Sequence, residues 1–131
     1  MPYVPPFEVL RRELGITAKT PEQPVELSYA QFIGLIRQFL AAVPVNEAWY
    51  LTQYDDIGKA VRQKKIASGA AHFIQDGYFE GRRPFPIAVD EAWYLKRYPD
   101  VADGIRRGVI ASAQTHFDQD GYNEGRLPRG D

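Results

Sequence analysis

The chain has no cysteine, and this absence excludes several classes of protein. Disulfide frameworks, cysteine-ligated zinc, iron–sulfur clusters and thiol nucleophiles all need that residue. Histidine is also scarce, with two copies in 131 residues. Any chemistry must therefore come from hydroxyl, carboxylate, imidazole or basic side chains.

An excess of charge of one sign is missing too, since 16 Lys and Arg stand against 17 Asp and Glu. Such a chain has no broad cationic field to hold a phosphate backbone, so we expect no nucleic-acid partner. The longest apolar run, around residues 39–45, is far too short for a bilayer span, and we expect no membrane insertion. The first residues lack the basic and apolar pattern of a leader, which favours a cytoplasmic location.

What the sequence does contain is an internal repeat. Residues 45–84 align with residues 89–128 without a gap, and 22 of these 40 positions are identical. The shared strings are V-x-E-A-W-Y-L-x-x-Y-x-D and H-F-x-Q-D-G-Y-x-E-G-R-x-P. We therefore divide the chain into an N-terminal segment, 1–44, and two repeats, 45–88 and 89–131.

Each repeat carries signals for three short helices. Asn46 and Asp90 are suitable N-caps for the first helix. In repeat 2, Pro99 opens the second helix and Gly108 ends it. Repeat 1 has Lys64 at the position of that glycine, so the end of its second helix is less clearly marked.

The third helix of each repeat is predicted from its ends. Ser68 and Ser112 are suitable N-caps, and we expect the helices to run to Gly77 and Gly121. Glycine readily adopts the left-handed conformation that ends a helix, so these two residues are the predicted stops.

The N-terminal segment differs from the repeats. Phe7–Leu14 predicts a short helix that ends at Gly15, and Thr17–Pro24 predicts a polar loop. Ser28 then caps the most amphipathic helix of the chain, whose apolar face must be covered. It caps the first repeat, as the end of a repeat array requires, or it binds a second copy or another protein. The apolar residues are Phe32, Ile33, Leu35, Ile36, Phe39, Leu40 and Val43.

These patterns predict an all-α protein in which two repeats of short helices stack and pack with the N-terminal amphipathic helix. We expect the repeat core to contain Trp49, Leu51, Phe73, Trp93, Leu95 and Phe117. The residues predicted to contact a partner are Phe32, Ile36, Phe39, Tyr50, Tyr94, Arg82 and Arg126. Both arginines also have a structural interpretation, in which they pair with Asp76, Asp120 or a helix C-terminus.

The two histidines are the candidates for a metal site. His72 and His116 each precede an aspartate by four residues, Asp76 and Asp120, which places each pair on one helical face. A zinc site normally needs three or four ligands, and catalytic zinc needs a general base as well. We therefore predict packing beside Phe73 and Phe117 instead, with no metal, no cofactor and no catalytic residue.

The second repeat resembles a known bacterial repeat of about forty residues. The residues that carry the resemblance are 93–102 (W-Y-L-K-R-Y-P-D-V-A), His116-Phe117 and 121–126 (G-Y-N-E-G-R). That repeat occurs beside glycosyltransferase domains in polysaccharide-synthesis proteins and in some surface proteins. The resemblance covers residues 45–128, although repeat 1 has Asp55 for the proline and Ile57-Gly58 for Val-Ala. The resemblance implies a helical fold and an association with such proteins, but it implies no particular activity.

The expected function is a non-catalytic protein-interaction or assembly module, such as an accessory subunit of a larger enzyme or of a polysaccharide-synthesis complex. Its partner would be a larger enzyme or a second copy of the chain. One alternative is a carbohydrate-binding module that uses exposed Trp or Tyr rings and the arginines of the E-G-R strings. Another is a metal-dependent enzyme centred on the two histidines.

Overall fold

The computed structural model describes residues 3–131, and within this range the only regular secondary structure is helical. The all-α prediction is confirmed. The chain divides into two compact units, one ending at Phe85 and one spanning Pro86–Asp131. The repeat alignment places this boundary three residues later, between residues 88 and 89.

The unit that ends at Phe85 contains the N-terminal helices and repeat 1. Its helices are α1 (Phe7–Glu13), α2 (Tyr29–Leu40), α3 (Glu47–Gln53), α4 (Asp55–Arg62) and α5 (Gly69–His72). A π-helical turn, Phe73–Gly77, and a 3-10 turn, Tyr78–Glu80, continue from α5. The unit Pro86–Asp131 contains α6 (Glu91–Arg97), α7 (Pro99–Arg106), α8 (Ala113–His116) and a π-helical turn, Phe117–Gly121.

The predicted N-caps form as expected. The side chains of Asn46 and Asp90 each accept a hydrogen bond of 3.1 Å from the backbone N–H three residues later. Ser68 and Ser112 cap α5 and α8 in the same way, at 3.0 Å. Each cap satisfies one N–H that has no partner inside its helix.

The third helix of each repeat ends differently from the prediction. Gly77 has a right-handed φ of −58°, and the regular α-helix has already given way to a π-helical turn before it. The left-handed residues are Gly81 and Gly125, each with φ of 82°. The helical turns do run to Gly77 and Gly121, but the prediction that these two glycines are left-handed is wrong.

The second helix of repeat 1 has an unexpected end. Lys64 adopts φ of 60°, the left-handed conformation that Gly108 adopts with φ of 75° in repeat 2. Both helices thus stop at the same place, although a lysine is strained in this conformation and a glycine is not.

Each unit has its own hydrophobic core. The buried residues of the first unit's cluster are Leu40, Tyr50, Ile57 and Phe73. Those of the second unit's cluster are Tyr94, Val101, Ala113 and Phe117. Each repeat is also closed by a backbone hydrogen bond, in which the N-cap residue of its first helix donates to the carbonyl of the proline that ends the E-G-R-x-P string, Pro84 at 2.9 Å and Pro128 at 3.0 Å.

Helix α2 covers repeat 1. Its Leu40 is buried in the first unit's cluster, and Ile36 packs against that cluster. Arg37 donates a hydrogen bond of 2.8 Å to the carbonyl of Gln75, and its guanidinium lies 5.2 Å from the centre of the Phe79 ring. The interpretation of this helix as a cap of the first repeat therefore agrees with the packing.

Candidate functional site

Five polar residues that are identical in both repeats meet inside each unit. In the first unit, the Tyr50 hydroxyl lies 2.9 Å from His72 Nδ1, and His72 Nε2 faces Glu80 Oε1 at 3.4 Å. Arg82 Nε lies 3.3 Å from the same Glu80 oxygen. The other two guanidinium nitrogens of Arg82 donate to both Asp56 oxygens at 3.0 and 2.8 Å. We call this chain of side chains the tyrosine-to-aspartate network.

The second unit builds the same network from the equivalent residues. Tyr94 lies 2.8 Å from His116 Nδ1, and His116 Nε2 lies 3.6 Å from Glu124. Arg126 Nε lies 3.4 Å from Glu124 Oε1. The other two guanidinium nitrogens of Arg126 donate to the two Asp100 oxygens at 2.9 and 2.8 Å. The repetition explains why these spacings recur in the sequence.

The burial of each tyrosine determines the protonation state of its hydroxyl. Burial raises the pKa of Tyr50 to about 12 and also raises the pKa of Tyr94, so both hydroxyls keep their protons at neutral pH. Within the described residues, each hydroxyl pairs with the histidine Nδ1. The Glu80 carboxylate that faces His72 Nε2 only accepts hydrogen bonds, so this geometry suits the neutral tautomer with its proton on Nε2, in which Nδ1 accepts from the Tyr50 hydroxyl.

The arginine and aspartate at the other end of the network stay charged. Two hydrogen bonds from Arg82 lower the pKa of Asp56 to about 2, and Arg126 lowers the pKa of Asp100 in the same way. The pKa of Arg82 is raised in turn by Asp56. The Arg82 guanidinium also lies 4.9 Å from the centre of the Tyr54 ring. A carboxylate pair and an aromatic face therefore hold this guanidinium within its own unit.

The network is closed rather than reactive. Tyr50 is fully buried, and only 9% of the His72 surface is exposed. Both histidine ring nitrogens already face partners, and no nucleophilic hydroxyl or thiol stands beside a free base in the network. Among residues 3–131, no three His, Asp or Glu side chains are placed to hold a metal ion. The geometry supports a structural role that ties α3, α4 and α5 to the E-G-R turn.

Four of the residues predicted to contact a partner are corrected by this geometry. Tyr50 and Tyr94 are not available to a partner, because both rings are fully buried and their hydroxyls are used inside the unit. Arg82 and Arg126 do not reach Asp76 or Asp120, since their guanidinium groups are held by the network. They are therefore poor candidates for binding a partner.

The carboxylate that faces each histidine is not the aspartate four residues later. The carboxylate near His72 is Glu80, eight residues later, rather than Asp76. His116 has the equivalent neighbour, Glu124, and lines a pocket of about 250 Å³ with Thr115, Gln119 and other residues. The i, i+4 spacing is misleading here because the α-helix changes to a π-helical turn just after each histidine.

Two of the six residues predicted for the repeat core are almost fully buried, and the other four are half-buried. Phe73 and Phe117 are almost fully buried in the two clusters. Half-buried side chains pack against the clusters from outside: Trp49, Leu51, Trp93 and Leu95. The tyrosine after each tryptophan takes the deepest position instead, because its hydroxyl finds a buried histidine partner.

The exposed aromatic residues of α2 form the clearest surface feature of the first unit. Phe32 is 49% exposed and Phe39 is 44% exposed, whereas Ile36 between them packs against the core. Tyr29 at the start of the helix is 79% exposed, and the sequence analysis missed it. Its position three residues before Phe32 was the available signal, because residues three apart share a helix face.

No protein-family model matches the chain, and neither a curated protein nor a solved structure matches it. In the described part of the chain, no helix has the length and apolar character needed to cross a membrane.

Proposed function

We propose that this chain is a non-catalytic protein-interaction or assembly module, an accessory subunit that binds a larger enzyme through helix α2. The observation that carries the proposal is the exposure of Tyr29, Phe32 and Phe39 on a helix whose Ile36 and Leu40 are fixed in a core. Large aromatic residues provide much of the binding energy of protein interfaces when a partner buries them.

The attachment of α2 favours a preformed binding surface. Leu40 and Arg37 both anchor the last turn of the helix, Leu40 in the core and Arg37 through its hydrogen bond to the Gln75 carbonyl. At the other end, Ser28 and Gln31 form a reciprocal capping box that fixes the first turn. A helix held in this way loses little conformational entropy when a hydrophobic groove of a partner receives its exposed face.

The closed network supports the non-catalytic part of the proposal. The polar residues shared by the two repeats are used to hold each unit together, which leaves surface contact as the best-supported activity. The resemblance of the repeat to one found beside glycosyltransferase domains makes a polysaccharide-synthesis enzyme our proposed partner, in the cytoplasm. The near-neutral net charge is the reason that nucleic acid is not proposed as a partner.

The proposal is tested by affinity capture of the tagged chain from its native host, followed by mass spectrometry and light scattering. We expect one stoichiometric protein partner, and we expect the double variant Phe32→Ser, Phe39→Ser to lose it while keeping its helical circular dichroism. Phe7→Ser is the matched control, because Phe7 is an aromatic residue of α1 with 71% exposure. Retention of the partner by the double variant would overturn the role of α2, and a stable dimer without another protein would make the partner a second copy.

A further inference from the structure

Trp93 lies beside two cationic side chains at an open pocket of the unit Pro86–Asp131. The pocket has a volume of about 320 Å³ and is lined by Trp93, Lys96 and Arg97. Lys96 and Arg97 lie three and four positions after Trp93 on α6, so they share one face of the helix with it. None of the three belongs to the tyrosine-to-aspartate network.

Neighbouring groups hold the tryptophan ring in place. The Tyr98 ring meets it edge-on, with the ring centres 6.1 Å apart and the planes at 88°. The Arg97 guanidinium lies 5.3 Å from the centre of the same Tyr98 ring. Gly130 packs over the pyrrole end of one indole face so closely that a Cβ there would lie 2.6 Å from Nε1 and 3.1 Å from both Cδ1 and Cε2. The indole and one of the two cations are therefore positioned without a ligand.

Repeat 1 shows that the fold does not need these cations. Thr52 and Gln53 occupy the positions of Lys96 and Arg97, yet α3 has the same length as α6. The Arg83 guanidinium lies 5.6 Å from the centre of the Trp49 ring, and Leu127 occupies the position of Arg83 in repeat 2. In repeat 1 a cation therefore lies over the tryptophan ring, whereas in repeat 2 two cations lie beside the tryptophan at the pocket.

We propose that Trp93, Lys96 and Arg97 bind an acidic sugar. The apolar C–H face of a pyranose ring stacks on the indole, and the sugar carboxylate lies between the Lys96 ammonium and the Arg97 guanidinium. A pocket of about 320 Å³ accommodates one or two such rings. Because three side chains of one helix face line an open pocket, a longer glycan chain can continue past the bound ring. This site does not depend on the contact proposed for α2.

An acidic sugar fits this pocket better than a nucleotide does. Specific recognition of a nucleobase uses hydrogen-bonding groups at its edge as well as a stacking face. The pocket lining offers an indole and two cations, all of which donate hydrogen bonds and none of which accepts one, so the amino groups of a nucleobase have no acceptor among them. Stacking with charge pairing is therefore the recognition that these side chains supply.

The test is a titration of the whole chain with trigalacturonate, with maltotriose as the neutral sugar, followed by the two indole N–H signals in NMR spectra. Trp49 serves as the internal reference, and a Trp49→Phe variant assigns the signals. We expect trigalacturonate to shift the Trp93 signal at micromolar to millimolar concentration and to leave the Trp49 signal in place. Maltotriose should bind about tenfold more weakly or not at all, because it lacks the charge-assisted contacts.

The decisive variant is Lys96→Thr, Arg97→Gln, which installs the residues that repeat 1 carries at these positions. We expect it to fold and to weaken trigalacturonate binding about tenfold or more. Arg106→Gln, Arg107→Gln is the matched control, since it removes the same charge from the end of α7, and it should bind like the unmodified chain. An unmoved Trp93 signal, equal binding of maltotriose, or equal loss in the control variant would overturn the proposal. Tighter binding of AMP than of trigalacturonate at Trp93 would also overturn it.

Discussion

At the residue scale, the glycine that faces each buried tyrosine hydroxyl has the least room for change. A Cβ on Gly77 would overlap the Tyr50 hydroxyl and would lie 3.3 Å from His72 Nδ1. A Cβ on Gly121 would meet Tyr94 and His116 in the same way. The glycine is identical in both repeats because a hydroxyl occupies the space of its side chain, not because its backbone is left-handed.

This close contact predicts the effect of Gly77→Ala. The added methyl group must displace Tyr50 or shift the backbone, which strains the core or breaks the hydrogen bond to His72. We expect the free energy of unfolding of the first unit to fall by about 2–3 kcal/mol. Urea unfolding followed by Trp49 fluorescence, in a Trp93→Phe background, measures this change.

Gly34→Ala is the matched control for that substitution. Gly34 lies inside α2, and no atom lies within 4 Å of the place that a Cβ would occupy, so alanine fits and favours the helix. We expect a gain of up to about 1 kcal/mol. If both substitutions changed the stability by the same amount, the contact between Gly77 and Tyr50 would not be the cause.

At the element scale, local capping signals were predictable and the π-helical turns were not. Asn46 and Ser68 mark helix starts because a cap needs only a side chain and a backbone N–H three residues away. The π-helical turn after His72 depends on distant partners, since Tyr50 and Glu80 hold the ring from other elements. The i, i+4 spacing of His72 and Asp76 therefore does not identify the carboxylate that faces His72, which is Glu80.

The ion pair between Asp56 and Arg82 joins the start of α4 to the E-G-R turn, and it predicts a dependence of stability on pH. The folded pKa of Asp56, about 2, lies below its ordinary value of 3.8, so the folded state favours the ionised form. This contribution to stability is present above about pH 4 and is lost as the pH falls toward 2. Because the Asp56 side chain is 62% exposed, solvent screens the pair, and we expect at most about 1 kcal/mol at pH 7.

We expect Asp56→Asn to be less stable than the unmodified chain at pH 7 and to approach it as the pH falls from 4 to 2. Acid titration at a fixed urea concentration, followed by circular dichroism, measures the difference. Asp55→Asn is the control, because Asp55 also lies in the first turn of α4 but pairs with Lys59 instead of Arg82. An equal shift of the acid transition in both variants would assign the effect to charge at the helix start.

At the scale of the whole molecule, the boundary between the two units was only partly visible in the sequence. Identity between the repeats begins at Val89, yet the second unit begins at Pro86. Ile87 belongs to it because its side chain packs on the second core and its carbonyl accepts a hydrogen bond of 2.9 Å from Gln114. Repeat 1 has Ala70 in place of Gln114, so an alignment of the two repeats hides this contact.

The N-terminal helix accounts for another difference between the repeats. Ile74 packs against the cluster that contains Leu40, and Phe79 lies under Arg37 of α2. Repeat 2 has Asp118 and Asn123 at these positions, and both are exposed. Repeat 1 thus has apolar residues where α2 covers it, and repeat 2 has polar residues at the same positions, where no such helix in the described part of the chain covers it.

Because the two cores are separate, we expect a cavity in one core to lower the protection of amides against hydrogen exchange in that unit only. Leu40→Ala should destabilise the first unit by about 3 kcal/mol, and Val101→Ala should destabilise the second by about 2 kcal/mol. Hydrogen exchange measures both, since the amides of Tyr50 and Tyr94 donate to the carbonyls of their N-cap residues in equivalent bonds of 2.8 Å.

We expect Leu40→Ala to speed exchange at Tyr50 and to leave Tyr94 protected, and we expect Val101→Ala to do the reverse. Each variant provides the control for the other, because each removes methyl groups from one cluster and none from the other. Equal acceleration at both tyrosines in either variant would contradict separate cores. The selective pattern would instead show that α2 is part of the first unit's core, so a partner that binds Phe32 and Phe39 contacts a helix whose inner face stabilises the repeat.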